Sequence, residues 1–182
     1  MNVGDVNYDF TRLVDDHRRA LQRYVLRRLS DPDDSDDVVS ETFAIAWRKR
    51  DALPPTDREL PWLYGIAFRV LSNHRRSRDR WNRLHGRISR EREDESDLDE
   101  LGELENKELL KALHSLGKVD RELLRLAYWE KLKYRDIAVT LQISENAVAI
   151  RATRAKKKLR ARLELAAAAP SSSSDSGEEV ET

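Results

Sequence analysis

Apolar residues recur at three- and four-residue spacings along most of the chain, a pattern typical of amphipathic α-helices. The first such stretch, Tyr8 to Leu29, places on one stripe Phe10, Leu13, Val14, Leu21, Tyr24, Val25 and Leu29. Pro32 and a run of Asp and Ser then predict a break and the N-cap of a second helix. A third helix begins near Pro61. These elements predict an all-α domain over residues 8–78.

The second and third helices each predict one apolar and one charged face. The second helix turns Val39, Phe43, Ala46 and Trp47 inward, while the outward stripe holds Asp37, Glu41, Ala44 and Arg48. In the third helix the inward residues are Leu63, Ile66, Ala67, Val70 and Leu71, and the outward ones are Arg69, Asn73, Arg76 and Arg80. Each charged stripe, taken alone, also fits an ordinary solvated face.

A second helical domain is predicted over residues 105–165. Its first two helices are "LENKELLKALHSLG" and "DRELLRLAYWEKL", the latter capped by Asp120. A short helix from Tyr134 to Leu141 and a turn at Gln142 follow, and Ser144 is a natural N-cap for a long helix. The long helix buries Val148, Ala152, Ala155, Leu159 and Leu163. Two such helices joined by a tight turn follow the helix-turn-helix plan.

The long helix carries the residue types that DNA reading requires. Short polar or apolar side chains near its N-terminus could reach base edges, and cations could contact phosphates. The candidate groove-facing positions are Glu145, Asn146, Ala149, Ile150 and Thr153, and the candidate phosphate contacts are Arg151, Arg154, Lys156, Lys157 and Lys158. A solvated basic helix of a regulatory or scaffold domain is the alternative.

Charge is segregated along the chain, although the formal net charge of the 182 residues is +0. Residues 73–92 carry eight arginines against two acids, and residues 93–105 carry eight acids and no base. Dense runs of like charge favour a solvated segment, so residues 79–104 are predicted to be a flexible charged linker. Residues 166–182 are predicted to be a disordered acidic tail. With 37% charged and 39% hydrophobic residues, we expect two modest cores.

Composition excludes several classes of chemistry. The chain contains no cysteine, so disulfides, zinc fingers and thiol catalysis are absent. The four histidines have no metal-ligand spacing, and we expect no cofactor, no metal site and no catalytic residue. No apolar run approaches the roughly 18 residues that a membrane span needs, and no signal peptide is recognisable. We therefore expect a cytoplasmic protein without membrane insertion.

Three segments together resemble a known family. "DDVVSETFAIAWR" is similar to the polymerase-binding helix of bacterial RNA polymerase sigma factors of the extracytoplasmic-function (ECF) type. "PWLYGIAFRVLSNHRR" resembles the helix that follows it and leads to the promoter −10 element, and "LKYRDIAVTLQISENAVAIRATRAKKKLR" resembles the helix-turn-helix that reads the −35 element. The order and separation of the three segments make the resemblance specific.

The resemblance implies roles for the stripes found in the sequence. The fold would be a sigma-2-like helical bundle and a sigma-4-like helix-turn-helix domain. Asp37, Glu41 and Arg48 would contact core RNA polymerase, at the clamp of its largest subunit and a neighbouring subunit. Arg69, Asn73, Arg76 and Arg80 would meet the −10 region. The −35 duplex would be contacted by Glu145, Asn146, Ala149, Ile150, Arg151, Thr153, Arg154, Lys157 and Lys158. An anti-sigma factor would be a further partner besides promoter DNA.

The chain departs from the family pattern at a few positions. Gln142 stands where a turn Gly is frequent, and a positive φ there would cost on the order of 1 kcal/mol. Ser40, Arg69, Asn73 and Ala147 also replace residues that are commoner in the family.

Two other functions stay open at this point. One is a two-domain helix-turn-helix regulator that acts without polymerase. The other is a nucleic-acid enzyme, which would need a carboxylate cluster or a nucleophile with its base. The acidic residues 93–105 could also fold over Arg151 to Lys158 and weaken DNA binding.

Overall fold

The computed structural model describes residues 3–29, 31–84 and 107–168. Seven α-helices make up most of these residues, which contain no β-strand. The predicted linker beyond Leu84 and the predicted tail beyond Ala168 lie outside the described residues. Residues 79–84, expected in the linker, continue the third helix, and residues 166–168, expected in the disordered tail, continue the last helix. The all-α prediction is confirmed.

The first domain consists of three helices and three short 3₁₀ turns. Its helices are α1 (Val3–Leu26), α2 (Ser35–Arg48) and α3 (Glu59–Leu84), and the turns are Pro32–Asp34, Arg50–Ala52 and Thr56–Arg58. Asp31 caps the first turn by accepting a hydrogen bond from the Asp33 amide at 3.2 Å. The core side of α1 holds Leu13, Leu21, Tyr24 and Val25, all fully buried. The apolar stripe predicted for α1 therefore faces the other two helices.

The second domain contains four helices. They are α4 (Lys107–His114), α5 (Lys118–Tyr128), α6 (Tyr134–Leu141) and α7 (Glu145–Ala168). Leu123 and Leu126 of α5, Ile137 of α6 and Val148 of α7 are fully buried where these helices meet. The helix-turn-helix predicted from the sequence corresponds to α6 and α7.

The two domains are packed against each other. Buried residues from Leu13 to Ala155 form one connected apolar cluster, so the two modest cores expected from the composition are continuous with each other. Helix α6 crosses α3 closely, and the Thr140 hydroxyl donates to the Pro61 carbonyl at 2.9 Å. The cause is that α1 and α3 turn Tyr24, Tyr64 and Gly65 towards the second domain, where α5 and α6 cover them.

None of the described helices is long and apolar enough to cross a membrane.

Candidate nucleic-acid interface

The acidic stripe of α2 lies on the protein surface. Asp37, Glu41, Ala44 and Arg48 are all exposed. The buried face of α2 comprises Val38, Val39, Thr42 and Ala46, with Phe43 half-buried. Within the described residues, Asp37, Glu41 and Arg48 form no side-chain hydrogen bond or ion pair, so their charges are available to a partner.

Trp47 is not a core residue, although its place on the apolar stripe of α2 predicted one. It is 37% exposed and packs against the Phe10 ring in a T-shaped arrangement, with ring centroids 4.9 Å apart. The Arg50 guanidinium lies 4.8 Å from the Trp47 ring centroid. The indole therefore adds a partly exposed aromatic surface beside the acidic stripe.

The basic stripe of α3 is also accessible. Asn73, Arg76 and Arg80 are exposed, and Arg69 is half-buried. Arg76 donates to the Asn73 side-chain oxygen, and Arg80 donates to the Ser77 hydroxyl at 3.2 Å. These contacts order the cations along one side of the helix while leaving further donors for an anionic ligand.

The turn between α6 and α7 has the geometry of a helix-turn-helix. Gln142 ends α6 in the left-handed conformation, with φ 56° and ψ 44°, and its amide donates to carbonyls of α6. The Ser144 hydroxyl accepts a hydrogen bond from the Ala147 amide at 3.1 Å. The predicted N-cap at Ser144 is confirmed, and it fixes the direction in which α7 leaves the turn.

Helix α7 packs with one side and exposes the other. Val148, Ala152 and Ala155 are buried, whereas the predicted contact residues are exposed, apart from half-buried Ala149. The exposed set is Glu145, Asn146, Ile150, Arg151, Thr153, Arg154, Lys157 and Lys158. Lys156 is exposed too, but its ammonium lies 5.6 Å from the centroid of the Tyr128 ring, and a hydrogen bond with the Tyr128 side chain raises the pKa of Lys156.

Asp120 has a role that the sequence did not predict. The N-cap of α5 is Gly117, not Asp120, and Asp120 lies in the first turn of that helix. Its carboxylate accepts a hydrogen bond from Arg151 at 3.0 Å across the gap between α5 and α7. A cavity of about 340 Å³ beside this pair is lined by Asp120, Ala147, Ile150, Arg151, Arg154 and Lys158. One acid thus sits among the cations of the candidate interface.

The joint between the two domains contains a buried ionic cluster. Arg28, in the turn after α1, is 2% exposed, and its Nε lies 3.1 Å from both carboxylate oxygens of Glu122. Arg28 Nη1 also donates to Glu130 at 3.0 Å. The Tyr24 hydroxyl donates to Glu122 at 2.8 Å, and the Arg28 guanidinium lies 3.6 Å from the Tyr24 ring centroid. The first domain supplies Arg28 and the second domain supplies the carboxylates of Glu122 and Glu130, so the cluster links the two domains.

The cluster perturbs the ionisation of its members. Burial alone would raise the pKa of Glu122, but attraction to Arg28 and hydrogen bonds from Arg28 and Tyr24 hold that pKa below its usual range. Burial raises the pKa of Tyr24, and the nearby Glu122 carboxylate raises it further. Burial also raises the pKa of Tyr64, which stacks on Tyr24 with ring centroids 4.3 Å apart, to about 12. Glu122 is therefore ionised and Tyr24 is neutral at neutral pH.

Sequence reasoning missed this cluster although a signal exists. Arg28 lies four residues after Tyr24 and one before Leu29, so it interrupts the apolar stripe of the first helix. A charge in such a position requires a partner. The partner is 94 residues away in the chain, which no helical period reveals.

Within the described residues, no group of three or more His, Asp or Glu side chains could hold a metal ion. A second cavity, of about 290 Å³, is apolar and lies between α4, α5 and α7, where Leu109, Leu124, Trp129 and Leu159 line it.

The comparisons with known proteins agree with this architecture. Residues 13–80 match the family model for Sigma-70 region 2, and residues 106–159 match Sigma-70 region 4. The chain is 31% identical over 168 residues to the RNA polymerase sigma factor NccH of Alcaligenes xylosoxydans xylosoxydans, covering 88% of this chain and 89% of NccH. The chain belongs to the ECF sigma factor family. This sigma factor is also 29% identical over 154 residues to the ECF RNA polymerase sigma factor SigL of Mycobacterium tuberculosis, covering 84% and 87% of the two chains.

Solved structures show the same fold. The sigma factor is similar to CnrH, solved in complex with the cytosolic domain of CnrY, with 26% identity and a TM-score of 0.59. That match covers 87% of this chain and 90% of CnrH. A second match, at 24% identity and a TM-score of 0.55, is RpoE of Bartonella quintana, solved with the anti-sigma factor NepR; it covers 86% of this chain and 98% of RpoE.

Proposed function

We propose that this sigma factor binds core RNA polymerase and directs initiation at promoters with a −10 and a −35 element. The observation that carries the proposal is that one chain exposes an acidic stripe on α2, a basic stripe on α3 and a cationic helix after a tight turn. Each surface lies in a domain of the matching type. The catalytic steps of RNA synthesis would belong to polymerase.

Asp37, Glu41 and Arg48 are the proposed contacts to core polymerase, at its largest-subunit clamp and a neighbouring subunit. All three are exposed and have no partner among the described side chains. An acidic surface of this kind is complementary to a cationic site, and complementary charge favours both specificity and rapid encounter.

The α3 stripe and α7 are the proposed DNA contacts. Arg69, Asn73, Arg76 and Arg80 would bind the opened −10 region, where a cationic surface can hold single-stranded DNA. The exposed side of α7 would enter the major groove of the −35 duplex, with Asn146 and its neighbours near bases. The cations Arg151, Arg154, Lys157 and Lys158 would contact phosphates.

A protein that inhibits this sigma factor is the further proposed partner. The support is that CnrH, at 26% identity, was solved with a bound partner protein. The proposal also implies a cytoplasmic location, since polymerase and its promoters are there.

Run-off transcription with bacterial core polymerase and a genomic fragment library tests the proposal. We expect start sites that require the wild-type protein and disappear with Asp37→Arg/Glu41→Arg. The matched control is Asp15→Arg/Asp57→Arg, which makes the same change in charge at two exposed positions outside the stripe. Tight binding to duplex DNA without any binding to polymerase would instead identify a helix-turn-helix regulator.

A further inference from the structure

Ile150 is a large apolar residue on the surface of α7. It is 44% exposed, and the second exposed large apolar residue within Glu145–Ala168 is Leu165, at 67%. Helix formation does not explain an isoleucine here, because the arginines and lysines that are frequent in α7 are better helix formers. Single exposed apolar residues are common, so the place of Ile150 in the helix matters more than its exposure.

Ile150 lies opposite the packed side of α7. Successive residues of a helix are about 100° apart, so Ile150 is roughly 200° from buried Val148 and roughly 160° from buried Ala152. Asn146 and Thr153 share its side of the helix, four residues before it and three residues after it. The Thr153 hydroxyl donates to a backbone carbonyl of the same helix at 3.0 Å, so its proton is already used. An apolar side chain therefore occupies the centre of the side proposed to face DNA.

The Ile150 side chain also lines the cavity of about 340 Å³ beside the Asp120–Arg151 pair. Apart from these three residues, the lining consists of Ala147, Arg154 and Lys158. The cavity thus has an apolar wall, formed by Ile150 and Ala147, and three cations around it. A ligand that matches it carries negative charge and an apolar group close together.

Duplex DNA offers this combination at one kind of nucleotide. Its phosphates supply the negative charge. In the major groove guanine, adenine and cytosine present hydrogen-bond donors and acceptors, whereas thymine also presents a C5-methyl group. The isoleucine side chain has no donor or acceptor, so against the other bases it would displace water without replacing the hydrogen bonds that the water made. The thymine methyl group is therefore the base feature that Ile150 suits.

We propose that Ile150 determines specificity within the −35 element by packing on the methyl group of a thymine. This inference deepens the proposed function and rests on it, because it assumes that the exposed side of α7 enters the groove. The surrounding Arg151, Arg154 and Lys158 contact phosphates and hold the helix in place, and such contacts carry no sequence information directly. Ile150 then favours thymine over cytosine at one position of the element.

Replacement of single thymines by deoxyuridine isolates the methyl group, because the two bases differ in nothing else. The probe is a promoter fragment recovered by run-off transcription from the genomic library. It is bound to holoenzyme made from core polymerase and the full-length chain. We expect one position of the upstream duplex at which uracil weakens binding about fourfold, the effect of one buried methyl group. A fragment with no such position would overturn the proposal.

Ile150→Ala assigns the effect to this side chain. The position is exposed and alanine is a good helix former, so the variant keeps the fold while losing the apolar contact. We expect Ile150→Ala holoenzyme to bind the thymine and uracil fragments equally, since the two changes remove the same contact. A penalty that persists in Ile150→Ala would come from the deformability of the DNA or from another residue, and the proposal would be wrong.

Leu165→Ala is the matched control. It removes the other exposed large apolar side chain of α7, about 22 Å further along the helix, which is more than the width of a major groove. We expect it to retain the full uracil penalty. Loss of the penalty in Leu165→Ala as well would show that the effect is not specific to Ile150 and would contradict the proposal.

Methylation of cytosine supplies the converse test. A C·G pair in place of the sensitive T·A pair should weaken binding, and 5-methylcytosine at that position should recover about fourfold with the wild type. Ile150→Ala should show no recovery, and recovery with both proteins would refute the role of Ile150. If no fragment is transcribed or bound by any holoenzyme, the proposed function itself fails. A fragment that is bound and transcribed without a methyl-sensitive position overturns only the role of Ile150.

Discussion

Gln142 occupies a backbone conformation that side chains disfavour. Its φ of 56° and ψ of 44° close α6 and direct the chain into α7. In this region the Cβ crowds the carbonyl oxygen that follows, at about 1–2 kcal/mol for residues other than glycine. The family resemblance predicts a glycine at position 142. The positive φ observed there explains that preference, because glycine has no Cβ.

Gln142→Gly should therefore raise the free energy of unfolding by about 1 kcal/mol. Chemical denaturation measures the change. Gln142→Ala is the matched control, because it shortens the side chain but keeps the Cβ, and it should give no comparable gain. Equal stabilisation by both variants would show that the side chain of Gln142, not its backbone conformation, is the source of the strain.

Ser144 makes the contact that begins α7. Its hydroxyl accepts a hydrogen bond from the Ala147 amide, one of the amides of the first helical turn that have no partner within the helix. Ser144→Ala should lower the free energy of unfolding by about 1 kcal/mol, whereas Ser144→Asp should keep most of the stabilisation that the cap provides. Thermal and chemical unfolding would test this, and equal loss in both variants would rule out a capping role.

At the scale of the element, α7 illustrates what periodicity can predict. The spacing of Val148, Ala152 and Ala155 identifies the packed side, and all three are buried. The opposite side then has to be exposed, which is why the predicted contact residues lie at the surface. The spacing says nothing about neighbouring helices, so the pairing of Arg151 with Asp120 of α5 came only from the structure.

The Asp120–Arg151 pair predicts a salt-dependent effect on DNA binding. Removing the charge in Asp120→Asn releases Arg151 for a phosphate, which should steepen the slope of log K against log salt concentration by about 0.9. Asp57→Asn, an equal change in charge at an exposed position of the first domain, should leave the slope unchanged. Fluorescence anisotropy with a labelled duplex over a salt series measures both. An unaltered slope in Asp120→Asn would mean that Arg151 does not reach the DNA.

At the scale of the whole molecule, the buried cluster makes stability depend on pH. The folded-state pKa of Glu122 is below its usual range, so this carboxylate stabilises the fold above its ordinary pKa near 4.3. That contribution declines as the pH falls below 4.3 towards the folded-state value. The charged and titratable groups that act on Glu122 are Arg28, Tyr24 and Arg125, and Glu130 shares Arg28 with it.

Glu122→Gln should lower the free energy of unfolding by roughly 3 kcal/mol at pH 7, because the buried positive charge of Arg28 loses the negative charge of Glu122. The difference in stability between the wild type and this variant should shrink as the pH is lowered from 6 to 3. Urea denaturation at several pH values measures it, and Asp57→Asn is the control for a change in an exposed carboxylate. A difference that does not vary with pH would contradict the assigned role of Glu122.

The sequence by itself determined the seven helices in outline, their inward and outward faces and the helix-turn-helix. Each of these features depends on residues that are close together in the sequence, such as the stripe at Val148 and Ala152 or the cap at Ser144. The spacing of residue types along the chain is therefore enough to predict them. Only the tertiary structure decided that the two domains close on each other. That closure depends on Arg28 meeting Glu122, 94 residues away, and on Gly65 admitting the Thr140 backbone. A buried charge can hold two domains together only when a residue from elsewhere in the chain supplies the compensating charge.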